Sequence, residues 1–450
     1  MHDELQALAK THTWDLGYLL PRKIAVLCKW VYKIKTRSNG SIELHKAHLV
    51  AKGFTHEYGI NYEEKFAHIA LLTFIRSLLT IIVVSKWPLF EMDVKNAFLN
   101  GDLIKKVMQP PPGYSPPPNK FFCLHRALHG LKQAPRAWFA KFNSTLQQFG
   151  FASSAYDSVL FIQKFAQGII LVLLYVDDMI ITGSDLDGIS TLKQDLNHHF
   201  EMKDLGTLSY FLGLEVSTAS NGYYLSQAKY ASNLLSHAGL TDSKTASTPL
   251  ETNVRFTPLD GTPLRDPTLY RTLVGSLVYL TITCPNIAYV VHLLYAYSDA
   301  AWAGDLIDRH SNGFCFFLST SLISWRSKKQ TLTARSSTEA EYHALANTIK
   351  ELSWLLWMLE DMVVTHSTAT SLYCDNGSAF EIAHNYAFHK CTKNIEIDCH
   401  FVLQHVVRGV VCLHSVTSLN QTADIFTKSH PSGRLQELVS KLQWVRSLPS

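Results

Sequence analysis

Charge is scarce in this chain of 450 residues: Asp, Glu, Lys and Arg together make up 17%. The usual share is about a quarter, so the chain is no acidic or basic tail protein. No apolar run is long. The longest, Gly168 to Val176, falls far short of the roughly 20 residues that cross a bilayer. Met1–Lys10 is acidic and polar where a signal peptide would carry its apolar stretch. Cysteine is sparse too, with eight residues and no C-x-x-C pair. That excludes a disulfide framework and points to reduced thiols in a cytosolic or nuclear compartment. No repeats or low-complexity tracts are evident. The expectation is a soluble, intracellular protein.

What is present is apolar bulk and an uneven charge. Hydrophobic residues reach 47%, enough for real cores and too many for a disordered chain. At about 150 residues per domain the length predicts two or three domains. Net charge is only +4, too mild to diagnose a nucleic-acid partner. Yet Arg22–Lys52 carries eight Lys/Arg against the single acid Glu43. The alternation in Lys29-Trp30-Val31-Tyr32-Lys33-Ile34-Lys35 sets basic and apolar residues on opposite faces of a strand. Asn39-Gly40 signals a hairpin turn, with Ile42–Val50 as the return strand. Such a ribbon suits a phosphate backbone as readily as it suits a solvated sheet face.

Further along, Leu71–Val84 reads as a buried helix and Trp87–Phe98 as a strand and a turn. Pro110–Pro118, with six prolines in nine residues, must be a loop. Ala134–Phe149 reads as a helix stopped by Gly150. Thr241–Thr268 is a linker candidate. Ser298–Leu318 is strand-like, Ser336–Met362 a long helix, and Ser371–Asp375 a short strand. A further helix is expected to start at Ala423–Lys428.

Two carboxylate constellations stand out. In Leu173-Leu174-Tyr175-Val176-Asp177-Asp178-Met179-Ile180-Ile181 two adjacent acids interrupt an apolar hairpin, which is costly unless a cation neutralises them. Phe90-Glu91-Met92-Asp93-Val94 supplies a third acid on a hydrophobic strand. Three carboxylates on adjoining strands can hold two hard divalent ions. By itself the Asp177-Asp178 pair reads more readily as a polar turn. The second set comprises Asp299 in Tyr297-Ser298-Asp299, Glu341 in Glu339-Ala340-Glu341-Tyr342, Asp375 in Cys374-Asp375-Asn376, and Asp424 in Ala423-Asp424-Ile425. Four acids from four separated elements are what a two-metal nuclease needs. Any one of them alone reads as a cap or turn residue. A Cys/His cluster, His389-x-Cys391 with Cys399-His400, fits no common zinc spacing.

Tyr-Val-Asp-Asp at 175–178 resembles the active-site signature of reverse transcriptases. The Lys29–Lys35 block, Ala51-Lys52-Gly53-Phe54, Asp93–Leu99, Gly130–Phe139, Tyr210–Val216 and Leu225-Ser226-Gln227 resemble, in order, blocks of copia-type retrotransposon polymerases. The last third resembles the ribonuclease H domain of the same elements. The resemblance implies an α/β (α+β) chain. A fingers–palm polymerase fold with a partial thumb would be followed by a ribonuclease H-like mixed-sheet domain. Its implied divisions are 1–240 (fingers, palm and start of the thumb), 241–294 (linker and truncated connection), 295–430 (ribonuclease H) and a tail at 431–450.

The implied activity is RNA-directed DNA synthesis with cleavage of the RNA strand of the hybrid. The polymerase site would hold Mg²⁺, or Mn²⁺ in its place, on Asp93, Asp177, Asp178 and the Val94 carbonyl. The nuclease site would hold it on Asp299, Glu341, Asp375 and Asp424, and Glu341 fits that motif better than Glu339. Phe98 would be the ring that excludes a ribose 2′-hydroxyl. Lys132 and Gln133 would line the nucleotide or template side, and Lys46 and Lys52 would meet phosphates. The implied partners are an RNA template, a DNA primer, the RNA–DNA hybrid and deoxynucleoside triphosphates. The implied location is the cytoplasm, in a virus-like particle, with the nucleus as a second compartment, and no membrane is involved.

The sequence also departs from the family pattern. Protease and integrase segments do not occur in it, so it reads as the downstream part of a polyprotein. Near Leu294-Tyr295 several dozen residues of thumb and connection are expected but missing. His48, His310, Cys284 and Cys391 stand where the family has Arg, and His129 where it has Tyr. The four Arg replacements are those produced by C-to-T transition in CGN codons, a hypothesis that other codons at those positions would disprove. The alternative to an active enzyme is a degenerate, catalytically inactive nucleic-acid-binding remnant. An unrelated metal hydrolase would need the motif order to be accidental.

Overall fold

The computed structural model describes residues 2–19, 25–36, 42–53, 70–114, 117–166, 168–219, 222–241, 243–250, 267–291, 311–330, 334, 336–364, 368–384 and 395–442. The chain divides into two compact units, Met1–Ala70 with Trp87–Leu208, and Leu71–Lys86 with Ser209–Ser450. The unit boundary therefore falls at 208/209, and one helix from the first half groups with the second unit. The expected junction at 294/295 lies outside the described residues.

In chain order the first stretch runs α1 (His2–Lys10), β1 (Trp14–Tyr18), β2 (Cys28–Thr36), β3 (Ile42–Ala51), α2 (Leu72–Ser85), β4 (Leu89–Val94), β5 (Asp102–Met108), β6 (Lys120–Arg126) and α3 (Ala134–Gln148). It continues β7 (Ala152–Ser153), β8 (Leu160–Lys164), β9 (Ile169–Tyr175), β10 (Asp178–Gly183), α4 (Leu186–His199) and β11 (Met202–Thr207). Six strands form one sheet in the order β11-β4-β10-β9-β8-β7. β9 is Ile-Ile-Leu-Val-Leu-Leu-Tyr, buried at every position but the last, as a strand covered on both faces requires. On one face Ile170, Val172, Leu174, Met179 and Ile181 pack with Trp138, Phe142 and Leu146 of α3 and Ile189, Leu192 and Leu196 of α4. Asp185 starts α4 by accepting the Gly188 N–H at 2.9 Å, a standard N-cap.

β2 and β3 pair as the expected antiparallel ribbon. Its apolar side is not buried along its whole length, since Tyr32 and Ile34 are 67% and 55% exposed. Its base is anchored by close backbone contact. A Cβ on Gly53 would lie 2.2 Å from the Gly130 carbonyl oxygen, and one on Gly130 2.2 Å from that of Ala51. Gly130 also has φ +86°, so only glycine meets both demands.

The second unit contains α2, mostly apolar and buried from Phe74 to Ile82 save Arg76 and Thr80, which are half-buried, and ended by Lys86 in the left-handed region. It continues β12 (Tyr210–Phe211), β13 (Leu214–Ala219), β14 (Gly222–Ser226), α5 (Ala228–His237), α6 (Pro267–Leu280), β15 (Ser311–Leu318), β16 (Ser321–Lys329) and α7 (Ser337–Asp361). The last elements are β17 (Thr370–Cys374), α8 (Gly377–His384), α9 (Glu396–Val407), β18 (Val411–Ser415) and α10 (Ser432–Lys441). β15 pairs with β16, and β17 pairs with β18 in parallel.

Two expectations change here. The segment Thr422–Phe426 is a short 3-10 turn, and the helix begins only at Ser432, after Pro431. Proline suits the entrance of a helix and lacks the N–H its interior needs. Nor is 431–442 a loose tail, because Leu435, Leu438 and Leu442 of this stretch join Ile425 and Phe426 in a core. Among the described residues no helix is long and apolar enough to cross a membrane.

Candidate active sites

The first site grows from strand register. β4 and β10 pair antiparallel with Asp93 directly opposite Asp178, and Glu91 opposite Ile180. Direct partners and i, i+2 neighbours share a face. Glu91, Asp93 and Asp178 therefore lie on one side of the sheet. Glu91 is only 5% exposed, Asp93 and Asp178 are half-buried, and Asp177 is exposed at the tip. Burial, aided by the charges of Asp177, Asp93 and Glu91, pushes the Asp178 carboxyl up to about 6. These three neighbours all bear negative charge, which suits a place that receives a cation, while Lys203 of β11 stands opposite Asp93 on its other side.

The tip between β9 and β10 is the two-residue loop Val176-Asp177. Val176 has φ +57°, an outlier for a β-branched residue and the conformation in which II′ hairpins usually place glycine. Two bonds hold it there. The Trp138 indole N–H donates to the Val176 carbonyl at 2.5 Å, and the Val94 N–H donates to the Asp177 carbonyl at 2.8 Å. Trp138 is itself 1% exposed and packs edge-on against Phe200. The turn is thus fixed from the palm core and from the strand that carries Asp93.

Around this centre, Phe98 lies on the 3-10 turn Ala97–Asn100, half-buried where two cores of the unit meet. Its ring is edge-on to His129 at 5.1 Å, and His129 in turn lies 4.9 Å from the His48 ring. His48 also contacts the buried carboxylate of Glu4. Gln133 occupies the position before α3 without a capping side-chain bond. Lys132 and Lys52 are half-buried. Lys46 sits on β3 opposite Lys33, with its side chain outside the described residues.

The second site belongs to the other unit. Ser336 caps α7 by accepting the Glu339 N–H at 3.1 Å, which places Glu341 in the first turns. Asp375 follows the end of β17 and accepts from the Ser418 hydroxyl at 2.9 Å. Asp424 sits on the 3-10 turn, 9% exposed. That turn presses on β15 so closely that a Cβ on Gly313 would lie 2.8 Å from the Phe426 Cβ. Burial raises the Glu341 carboxyl, with Asp375 and Asp424 adding to the rise and Lys428 opposing it. The Lys428 ammonium bonds Asp424 Oδ1 at 2.9 Å.

Three of the four expected acids are therefore brought together. The fourth, Asp299, lies outside the described residues, as do His310, His389 and Cys391. Glu339 turns elsewhere, 3.9 Å from His343, whose other nitrogen bonds Asp398.

Sequence reasoning gave no role to Glu91, Trp138 or Lys428. Glu91 was signalled by its two-residue spacing from Asp93, and Lys428 by its four-residue spacing from Asp424. Trp138 carries no local signal for a bond to a turn 38 residues away. Among the described residues no three His, Cys, Asp or Glu side chains close into a ready-made ion cage. The acids supply hard oxygen donors of the kind Mg²⁺ prefers, and such sites ordinarily take one or two carboxylates and complete the shell with water and substrate phosphate.

Comparison with known proteins agrees with this architecture. Residues 11–252 match the family described as reverse transcriptase (RNA-dependent DNA polymerase). The retrovirus-related Pol polyprotein from transposon RE1 of Arabidopsis thaliana is 37% identical, across all of this chain and 34% of that polyprotein. Its counterpart from transposon TNT 1-94 of Nicotiana tabacum is 32% identical, over 97% of this chain and 37% of the relative. The putative transposon Ty5-1 protein of Saccharomyces cerevisiae is 33% identical, over 45% of this chain and 68% of that protein. The chain spans about a third of the length of the first two relatives. It belongs to the reverse transcriptase family, RNA-directed DNA polymerases of the kind carried in copia-type retrotransposon Pol polyproteins.

Proposed function

We propose that this chain extends a DNA primer on an RNA template with deoxynucleoside triphosphates, and that its last third cleaves the RNA strand of the hybrid. The observation that carries the polymerase reading is the Asp93–Asp178 register pair beneath the pinned Val176-Asp177 turn. Asp93, Asp177, Asp178 and the Val94 carbonyl would hold Mg²⁺, or Mn²⁺ in its place. Bound there, the ions would supply Lewis-acid activation of the attacking hydroxyl and neutralisation of phosphate charge. The chain's own contribution is placement. Strand pairing fixes the Asp93 and Asp178 backbones, and Trp138 fixes the turn that presents Asp177. Phe98, backed by His129, forms the wall on which a ribose hydroxyl would clash. Lys52, Lys46, Lys132 and Gln133 stand for phosphate and template contact.

Glu341, Asp375 and Asp424, completed by Asp299, form the proposed nuclease site. The divisions 1–240, 241–294 and 295–430 are the proposed functional boundaries, and the cytoplasm, with the nucleus as a second compartment, the proposed location. The test is primer extension on RNA with Mg²⁺, comparing the chain with an Asp177→Asn/Asp178→Asn double variant. Extension lost in the variant supports the reading. Extension that survives it rejects the assignment of these acids.

One observation favours the second reading, an inactive nucleic-acid-binding remnant. The match to RE1 runs over 495 residues against 450 here, so some 45 positions of the relative lack a counterpart. A loss at 294/295 would shorten the thumb and connection that grip the primer–template. Salt-dependent hybrid binding without incorporation is the result that would select this reading.

A further inference from the structure

The nuclease acids have a cation of their own chain among them. Lys428 lies one helical turn's spacing beyond Asp424, and its ammonium bonds Asp424 Oδ1 at 2.9 Å. Its charge acts on Glu341 as well, opposing the rise that Asp375 and Asp424 impose. Glu341 is exposed, Asp375 half-buried and Asp424 buried; three carboxylates from separate elements repel one another, and an ammonium among them offsets that repulsion. The Lys428 side chain is 56% exposed and the Asp424 side chain 12%. The ammonium therefore reaches in from solvent and has an open route back to it. A lysine ammonium is a compact point charge on a flexible stem, close to what a small divalent ion offers a carboxylate.

Resting on the reading of Glu341, Asp375 and Asp424 as metal ligands, we propose that Lys428 is a resident counter-ion of the nuclease site. It neutralises Asp424 when the site is empty and must release Asp424 Oδ1 before a divalent ion can use that oxygen. The exchange breaks one ammonium–carboxylate hydrogen bond and forms one metal–oxygen bond, with no change of oxidation state. Its consequence is a site that stays assembled without metal and fills only at a higher metal concentration. Lys428 is on this account a positioning residue that acts through Asp424.

The test is Mn²⁺ binding to the full chain, followed by electron paramagnetic resonance. It is done in an Asp177→Asn/Asp178→Asn background so that the polymerase acids do not contribute. Lys428→Gln is expected to tighten Mn²⁺ binding about tenfold, the effect being abolished by adding Asp424→Asn. Lys428→Arg, which keeps the charge, is expected to bind as the lysine form does. In EDTA the Gln variant melts lower, and saturating Mg²⁺ raises its Tm by more than it raises that of the lysine form. A merely structural ion pair would lower Tm without tightening Mn²⁺, and that result overturns the proposal. So does an Arg variant that binds as tightly as the Gln variant. If no chain shows an Asp424-dependent Mn²⁺ site, the metal-ligand reading itself falls, and the resident counter-ion with it.

Discussion

The two carboxylate sites, proposed to share a similar chemistry, are built by opposite means. In the polymerase site, backbone pairing sets Asp93 against Asp178, and Asp177, Asp93 and Glu91 all press negative charge on Asp178. In the nuclease site the acids come from a helix, a strand end and a 3-10 turn, and Lys428 sits among them. Hydrogen bonds of a sheet hold like charges together, because separating them would break the ladder, and the neighbouring strand β11 sets Lys203 opposite Asp93 on its other side. Acids on three separately packed elements lack that constraint and depend on a counter-charge. Strand register can thus store electrostatic repulsion that side-chain packing must relieve.

The largest expected effect tests whether the two sets act separately. Asp178→Asn should lower RNA-templated extension by about 10³-fold or more, as loss of several kcal/mol of charge stabilisation implies. RNA-strand cleavage measured on the same preparation should change by less than about threefold. Asp424→Asn should do the reverse. If either substitution removes both activities while the protein stays folded, the separation is wrong.

Next in size is the pin on the catalytic turn. Trp138→Phe keeps most of the buried ring and removes the N–H that satisfies the Val176 carbonyl. Urea unfolding should show a loss of about 1–3 kcal/mol, the cost of orphaning a buried acceptor plus a small void. Extension should fall with kcat while the nucleotide KM holds. A variant of unchanged stability would mean that strand pairing alone fixes the turn.

A smaller effect separates the stored repulsion from the rest. The folded Asp178 carboxyl keeps its proton up to about 6, whereas the unfolded one releases it near 4. Between those values the folded state binds more protons, so this group's contribution to stability falls as pH rises through the window, and the full penalty remains above it. In EDTA, Asp178→Asn should therefore stabilise the protein at pH 7. The gain should be on the order of 1 kcal/mol after allowing for solvent screening at a half-buried group, and it should vanish below about pH 4. A thermal-melt series across pH 3.5–8 checks it. A variant less stable at pH 7 would show that Asp178 is satisfied where it stands.

How much of this was legible in the sequence follows from the same contrast. The β9–β10 hairpin and α2 were readable because apolar patterning is local: an unbroken Ile-Ile-Leu-Val-Leu-Leu run can hardly be anything but buried. The tip acids were readable because charge inside such a run is costly. The Asp424 turn was misread as a helix start, since Thr and Asp ahead of an apolar pair look like a helix entrance, whereas the segment packs against β15 and the helix begins only after the proline at 431. Lys428 looked like an ordinary i, i+4 surface partner. Its meaning depends on Glu341 and Asp375, which are distant in sequence. Trp138 lay within a recognisable block, yet its bond to Val176 is purely tertiary.

The smallest expected effect asks whether the strain at the tip serves the site. Val176 holds φ +57°, which costs a β-branched residue about 1–3 kcal/mol. Glycine would remove that cost but gains freedom in the unfolded chain, offsetting roughly 1 kcal/mol of it. Val176→Gly should therefore raise stability by between about 0 and 2 kcal/mol. If the valine is only tolerated, extension is unchanged or improved. If the side chain's contacts are what hold the Asp177 carbonyl against the Val94 N–H, extension falls even as stability rises. The nuclease site has no equivalent residue to relax, because none of its three described acids lies beside a non-glycine with positive φ. A stability gain coupled to a polymerase-only loss would show that the tip conformation is maintained for chemistry against the interest of the fold.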